Sequence, residues 1–80
     1  MRLSEYMTLP GKSAADIARE SGVATSRLSC FLDGQHALSA KNLERIIRAT
    51  REEVTFTDLV EEGRELRKRR ARRLAAEART

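Results

Sequence analysis

The sequence predicts an all-α fold of five helices that ends in a basic, helical C-terminal extension. Three observations carry the prediction. Apolar residues recur at i, i+3 and i+4 in successive short segments, and no segment alternates with the period of two that a strand requires. Capping residues and glycines punctuate those segments at short intervals. At 80 residues with 40% apolar side chains, the chain has material for one small core and one domain.

Leu3, Tyr6 and Met7 mark the apolar face of a short first helix, which Pro10-Gly11 is expected to end because proline cannot continue a helix. Ser13 precedes Ala14-Ala15-Asp16 as an N-cap, with Asp16 the acidic partner of a capping box. Ile17, Ala18 and Ser21 share a face of this second helix, and Gly22 breaks it. A third helix must begin within three residues, because Leu28, Phe31 and Leu32 resume the spacing. It stops at the turn dipeptide Asp33-Gly34. Gln35 to Leu38 read as a loop. Ser39 caps a fourth helix with Leu43, Ile46 and Ile47 on its face. Thr55-Phe56-Thr57-Asp58 is a second capping box, opening a fifth helix whose Leu59 and Val60 turn toward the core. Beyond Gly63 only Leu66, Ala71, Leu74, Ala75 and Ala78 remain as a thin stripe among the basic residues. Arg and Ala favour helix there, while crowded like charges leave fraying open.

Charge is distributed in blocks. The chain holds 16 basic and 12 acidic residues. Residues 1–63 carry eight basic against ten acidic groups, net −2, and residues 64–80 carry eight against two, net +6. The sequence therefore divides into a domain over 1–63 and a basic tail over 64–80. Such asymmetry marks either a tail for nucleic acid or another anionic surface, or a solvated charged helix. Other functions lack their residues. One cysteine excludes an intramolecular disulfide and a cysteine-based zinc site. The single His36 has no companions for a metal site or a catalytic base, and there is no Gly-rich phosphate loop. No enzyme activity, cofactor or metal is expected. With no signal peptide and no apolar run near the roughly 20 residues of a membrane span, a cytoplasmic, nucleoid-associated protein without membrane contact is expected.

The spacing between the second and third helices is the most informative feature. Two short helices joined by a three-residue turn with glycine first are expected to cross steeply. The motif runs from Ala14 to Asp33, with a recognition helix over about 25–33. Six positions match those that helix-turn-helix geometry restricts. Ala18 is small where the helices approach, Gly22 tolerates left-handed backbone, and Ile17, Val23, Leu28 and Phe31 fill buried positions. A helical bundle with accidental spacing is the alternative.

The stretch SAADIARESGVATSRLSCFLDG (13–34) resembles the Cro/CI-type helix-turn-helix of phage and bacterial repressors. With the opening LSEYMTLPG and the later IIRAT and VTFTDL, residues 3–60 are similar to small Cro-like regulators of the YdaS kind. The resemblance implies a compact Cro/CI-like domain that regulates transcription of a prophage or mobile element, more often as a repressor. Three departures stand out. Ala14 replaces a long polar residue, and Ala24 replaces a polar cap, so that Thr25 is the candidate cap. Arg51-Glu52-Glu53 stands where the family has glycine.

Helix geometry then assigns contacts. With Leu28 and Phe31 inward, Ser26, Ser29, Cys30 and Asp33 face out, and Thr25 lies at the end that enters the major groove in this motif. Thr25, Ser26, Arg27, Ser29 and Cys30 are the candidate base contacts, and Arg27 is the only long cation among them. Solvent-facing filler is the bland reading of the small ones. Lys12 and Ser13 beside the second helix, and Gln35, His36, Lys41 and Asn42 around the start of the fourth, are candidate phosphate contacts. Asp33 reads as a turn cap in preference to an acceptor from cytosine. Cys30 sits mid-helix without an activating environment, so a redox role is not expected.

The tail has three readings. Arg64, Arg67, Lys68, Arg69, Arg70, Arg72 and Arg73 extend electrostatic contacts to DNA; the Leu59–Leu66–Leu74 stripe packs on a second copy; or the tail binds another partner. Taken together, the sequence predicts a sequence-specific transcriptional regulator that reads double-stranded operator DNA with its third helix as a homodimer. RNA polymerase or a regulatory protein is a further candidate partner. The alternatives are a protein-interaction module on this scaffold and a non-specific nucleic-acid binder driven by the tail.

Overall fold

A computed structural model describes residues 1–79 of the chain. Its elements are α1 (Leu3–Tyr6), α2 (Ala14–Ser21), α3 (Thr25–Leu32), α4 (Ala40–Ala49) and α5 (Phe56–Ala78), with no strand among the described residues. No helix among them is long and apolar enough to cross a membrane.

The helix starts follow from local chemistry. Ser13 and Asp16 form a reciprocal capping box at α2, and Thr55 and Asp58 form another at α5. Ser39 accepts the Asn42 N–H at the start of α4, 3.2 Å away. The start of α3 differs. Its N-cap is Ala24, no side chain caps it, and Thr25 is already helical, so Thr25 is not the cap that the sequence suggested. α1 is a single turn that ends at Tyr6 with Met7 as its C-cap, so it stops before Pro10 is reached.

Gly22 closes α2 with φ +77°, and the chain turns into α3 within three residues. Arg51 and Glu52 both take left-handed backbone, φ 54° and 64°, between α4 and α5, a strained conformation for residues with a Cβ.

The core gathers Leu3, Tyr6, Ile17, Val23, Leu28, Phe31, Ile46, Val54 and Leu59. Ile17, Val23, Leu28 and Phe31 are thus all buried, as the motif spacing requires. Leu43, Ile47, Leu38 and Leu66 pack around them. Two polar residues are buried with the core, Thr50 and Glu62. The Glu62 carboxylate accepts the Leu3 N–H at 2.7 Å and the Ser4 N–H at 3.2 Å, which ties the start of α1 to the middle of α5. Arg2 stands over it, its Nε 3.8 Å from Glu62 and its Nη2 2.9 Å from Glu65.

The boundary drawn at residue 63 falls within a continuous helix. α5 passes through Gly63 without a break, Gly63 is buried against Phe31, and Leu66 packs on the core. The segment read as a tail from 64 therefore begins inside a packed helix, and Thr80 lies outside the described residues. The Leu59–Leu66–Leu74 stripe is not a free face. Leu59 is fully buried and Leu66 is covered, leaving only Leu74 exposed. Every residue from Ala71 to Arg79 is exposed, and α5 would be about 35 Å long at 1.5 Å per residue, which accounts for most of the 43 Å long axis.

Acid is expected to loosen this fold from one end. Asp58 accepts from the Met1 ammonium at 2.8 Å and from the Thr55 N–H and hydroxyl side of its capping box, and these hold its carboxyl down from 3.8 to about 2. The Ser13 hydroxyl and N–H, with Arg19, lower Asp16 in the same direction. A folded value below the unfolded one gives stability that is complete above the unfolded value and is lost as pH falls through the folded one. Urea unfolding followed by circular dichroism is therefore expected to lose stability between about pH 4 and pH 2. A loss already complete above pH 4 would contradict these contacts.

Candidate nucleic-acid interface

α3 presents a short polar face. Thr25, Ser26, Arg27 and Ser29 are exposed and Cys30 is half-buried, while Leu28 and Phe31 hold the opposite side in the core. With no side-chain cap, the first N–H groups of α3 are left without a side-chain acceptor at the exposed end of the helix.

Beside this face lies a cleft of about 120 Å³ lined by Ser26, Arg27, Cys30, His36, Ser39 and Asn42, together with Ala37 and Leu38. It brings three of the candidate base contacts together with two of the candidate phosphate contacts. Ser39, read from sequence only as a cap, also lines the cleft, and its capping pattern concealed that second position. Thr25 and Ser29 stand on the exposed face of α3 outside the cleft, and Lys41 is exposed on the first turn of α4.

Two helix starts that looked alike in the sequence differ in charge. At α2 the Asp16 carboxylate accepts from the Ser13 N–H at 3.1 Å and from its hydroxyl at 2.6 Å. Ser13 is therefore occupied, and a carboxylate stands where a phosphate would bind. Lys12 is turned toward Glu20 at 3.8 Å and lies 5.8 Å from the centre of the Tyr6 ring. The first turn of α4 has no acid and carries Lys41. Of the two starts, α4 is the one suited to an anion.

Glu20, Asp33 and Glu44, the acids on these helices that could oppose a phosphate, each have a cation. Glu20 pairs with Lys12, and Glu44 pairs with Arg48 at 2.8 Å. Asp33 pairs with Arg70 at 2.7 Å and with Arg73 at 3.8 Å, so two basic residues of α5 reach back to the end of α3. Gln35 also donates to Asp33 at 2.8 Å, closing the turn, and its Oε1 lies 3.9 Å from the Cys30 thiol. The Gln35 hydrogen bond, then the Arg70 and Arg73 charges, hold the Asp33 carboxyl below the usual range. Gln35 is thus engaged within its own turn. By contrast Arg27 and Lys41 have no ion pair among the described residues.

The basic residues of α5 are also not equivalent. Arg69 is paired with Glu65, and Arg70 and Arg73 with Asp33. Arg67 is half-buried and lines a small apolar cavity with Phe31, Leu38 and Leu59. These four are therefore engaged within the fold, where the sequence had placed them as free electrostatic contacts. The pairing partner Asp33 lies 37 residues before Arg70, so no local pattern announces it.

Fold and site together define an all-helical domain that displays a short polar helix, flanked by unpaired cations, beside a small cleft. Comparison of the chain with protein-family models, with curated proteins and with solved structures finds no match.

Proposed function

We propose that the protein is a sequence-specific DNA-binding regulator of the Cro-like kind, with α2 and α3 as its helix-turn-helix and α3 in the major groove. One observation carries the reading. Arg27 on α3 and Lys41 on the first turn of α4 have no ion pair among the described residues, whereas the acids that would oppose a phosphate, Glu20, Asp33 and Glu44, are each held by a basic partner. A protein-interaction module on the same scaffold would gain from the reverse arrangement. Thr25, Ser26, Arg27, Ser29 and Cys30 meet base edges in this reading, and His36, Lys41 and Asn42 meet the backbone. The protein acts as a homodimer on half-sites about one helical turn apart, and repression is the proposed outcome. It is active in the cytoplasm of a cell that carries the prophage or mobile element.

Selection of bound duplexes from a randomised pool, with the full chain at about 150 mM salt, tests the reading. An enriched inverted repeat is the expected result, and absence of any enriched sequence overturns it. Arg27→Ala is then expected to weaken binding to the selected site by roughly 5- to 150-fold, the equivalent of about 1–3 kcal/mol for a bidentate guanine contact. Binding to unselected duplex is expected to change far less. Equal weakening on both would make Arg27 a phosphate contact.

A further inference from the structure

Seven basic residues lie in α5 between Arg64 and Arg73, and four of them are engaged within the fold as described above. The other three are Arg64, Lys68 and Arg72. All three are exposed, and none has an ion pair among the described residues. They recur at i, i+4 and i+8, so they follow one side of the helix within about 80° of arc and about 12 Å of length. The buried side of α5 is marked by Leu59, Glu62, Gly63 and Leu66, and at 100° per residue it lies roughly opposite this row. α3 packs on that buried side, through Phe31 against Gly63 and Asp33 against Arg70. The row therefore points away from the recognition helix. Two acids flank it: Glu61, one turn before Arg64, has no ion pair with it among the described residues, and Glu65 is held by Arg2 and Arg69.

We propose that Arg64, Lys68 and Arg72 form a second nucleic-acid face that grips the phosphate backbone of a duplex on the side of the molecule opposite α3. A single straight duplex cannot lie in both places, so one protein holds two duplex segments together. Three cations about 6 Å apart along one line suit a chain of phosphates better than a single anion. Beyond Arg72 the row runs on into Ala76; toward the helix start the same line meets half-buried Val60 and exposed Phe56, so apolar surface lies at one end only and none lies among the cations, too little for a stable interface with an acidic protein. Cations spread along about 12 Å of one side of a helix follow a line of phosphates, which carry no sequence information, so the row binds without reading sequence. The pairing of Arg70 and Arg73 with Asp33 keeps those two from the same task. The proposal rests on the DNA reading for what α3 holds, whereas the row itself needs no operator.

The test compares two variants of equal net charge in the full chain. One is Arg64→Gln, Lys68→Gln and Arg72→Gln; the other is Arg69→Gln, Arg70→Gln and Arg73→Gln. Protein loaded on a bead-bound duplex is offered a fluorescent duplex of about 30 random base pairs, and capture is measured against salt. Wild type is expected to capture it. The first variant is expected to lose capture at least about tenfold, with the slope of log affinity against log salt flattened by about 2.7, or 0.9 for each cation removed. Capture is scored per molecule of protein retained on the bead, because loss of Arg70 and Arg73 uncovers Asp33 beside α3; scored so, the second variant is expected to stay within about twofold of wild type. Arg64→Lys with Arg72→Lys keeps the charges and is expected to retain capture, and circular dichroism checks that α5 stays helical. Equal loss in both Gln variants, capture that survives the first, or no capture by wild type overturns the proposal. The last result would leave an acidic protein as the row's partner. Sequence selection reads α3 separately: capture without an enriched site sinks the regulator and leaves the second face standing.

Discussion

Gly34→Ala is expected to destabilise the protein by about 3 kcal/mol, while Gly22→Ala costs about 1 kcal/mol. Both glycines have nearly the same left-handed backbone, φ +76° and +77°, so an added Cβ meets the same conformational penalty at each. The surroundings separate them. At Gly22 nothing lies within 4 Å of the added carbon. At Gly34 the carbon would stand 2.4 Å from the Leu66 carbonyl oxygen and 2.8 Å from the carbonyl carbon. Those are backbone atoms of α5, and they cannot turn aside as a side chain would. The helix itself must move, which also strains the pairing of Arg70 with Asp33 one turn further on. Urea unfolding of the two variants gives the comparison. Equal losses would mean that α5 does not approach the turn as closely as the structure has it. Faster amide exchange over residues 64–78 in Gly34→Ala, without a matching change in α4, is the expected companion result.

This contrast shows what was legible in the sequence. Asp33-Gly34 is a local turn signal, and it marks the end of α3 correctly. The reason that only glycine fits is Leu66, 32 residues later, which no pattern around Gly34 contains. The same division holds elsewhere. Ser13 with Asp16 and Thr55 with Asp58 are three residues apart, so both capping boxes could be read directly. The exposed face of α3 followed from Leu28 and Phe31 by helical period. The cleft did not, because it closes between α3 and the loop ahead of α4. The boundary drawn at 63 falls inside α5, and the helical extension expected beyond it is that same helix. A falling apolar content looks like the end of a domain, yet a helix continues wherever its residues favour it and a neighbour covers one side. Arg and Ala supply the propensity, and Phe31 and Asp33 supply the neighbour. Glycine at 63 served the close approach of Phe31, although it resembles a breaker.

The consequence for function is that the basic segment is positioned by the fold and does not trail from it. A chain cut after residue 63 would remove Leu66 from the core margin and Arg70 and Arg73 from Asp33. Loss of DNA binding in such a truncation would not separate lost charge from lost structure. Substitutions that keep α5 helical make that separation.

Glu62→Ala is expected to cost about 3–5 kcal/mol, a large part of the roughly 4–12 kcal/mol that a domain of this size has in total. The carboxylate is buried, only 2% exposed, and an isolated charge there would be unfavourable. Its surroundings explain why it stays. α1 is a single turn, and its first N–H groups have no partner within the helix. Glu62 reaches them across 59 residues of sequence, one oxygen on Leu3 and the other on Ser4, while Arg2 lies over the pair. Alanine removes the acceptor and leaves the buried Leu3 N–H without one, a loss that no rearrangement of α5 can supply. Glu62→Gln tests the part played by charge. It keeps the size and one acceptor oxygen, but turns an N–H₂ group toward a second donor, so a loss of about half that of alanine is expected. Urea unfolding at pH 7 reads both variants. If alanine changes stability by less than about 1 kcal/mol, α1 is not anchored through this carboxylate. If glutamine and alanine are equally damaging, the negative charge against the start of α1 and Arg2 is the whole of the contribution, and the hydrogen-bond geometry adds little to it.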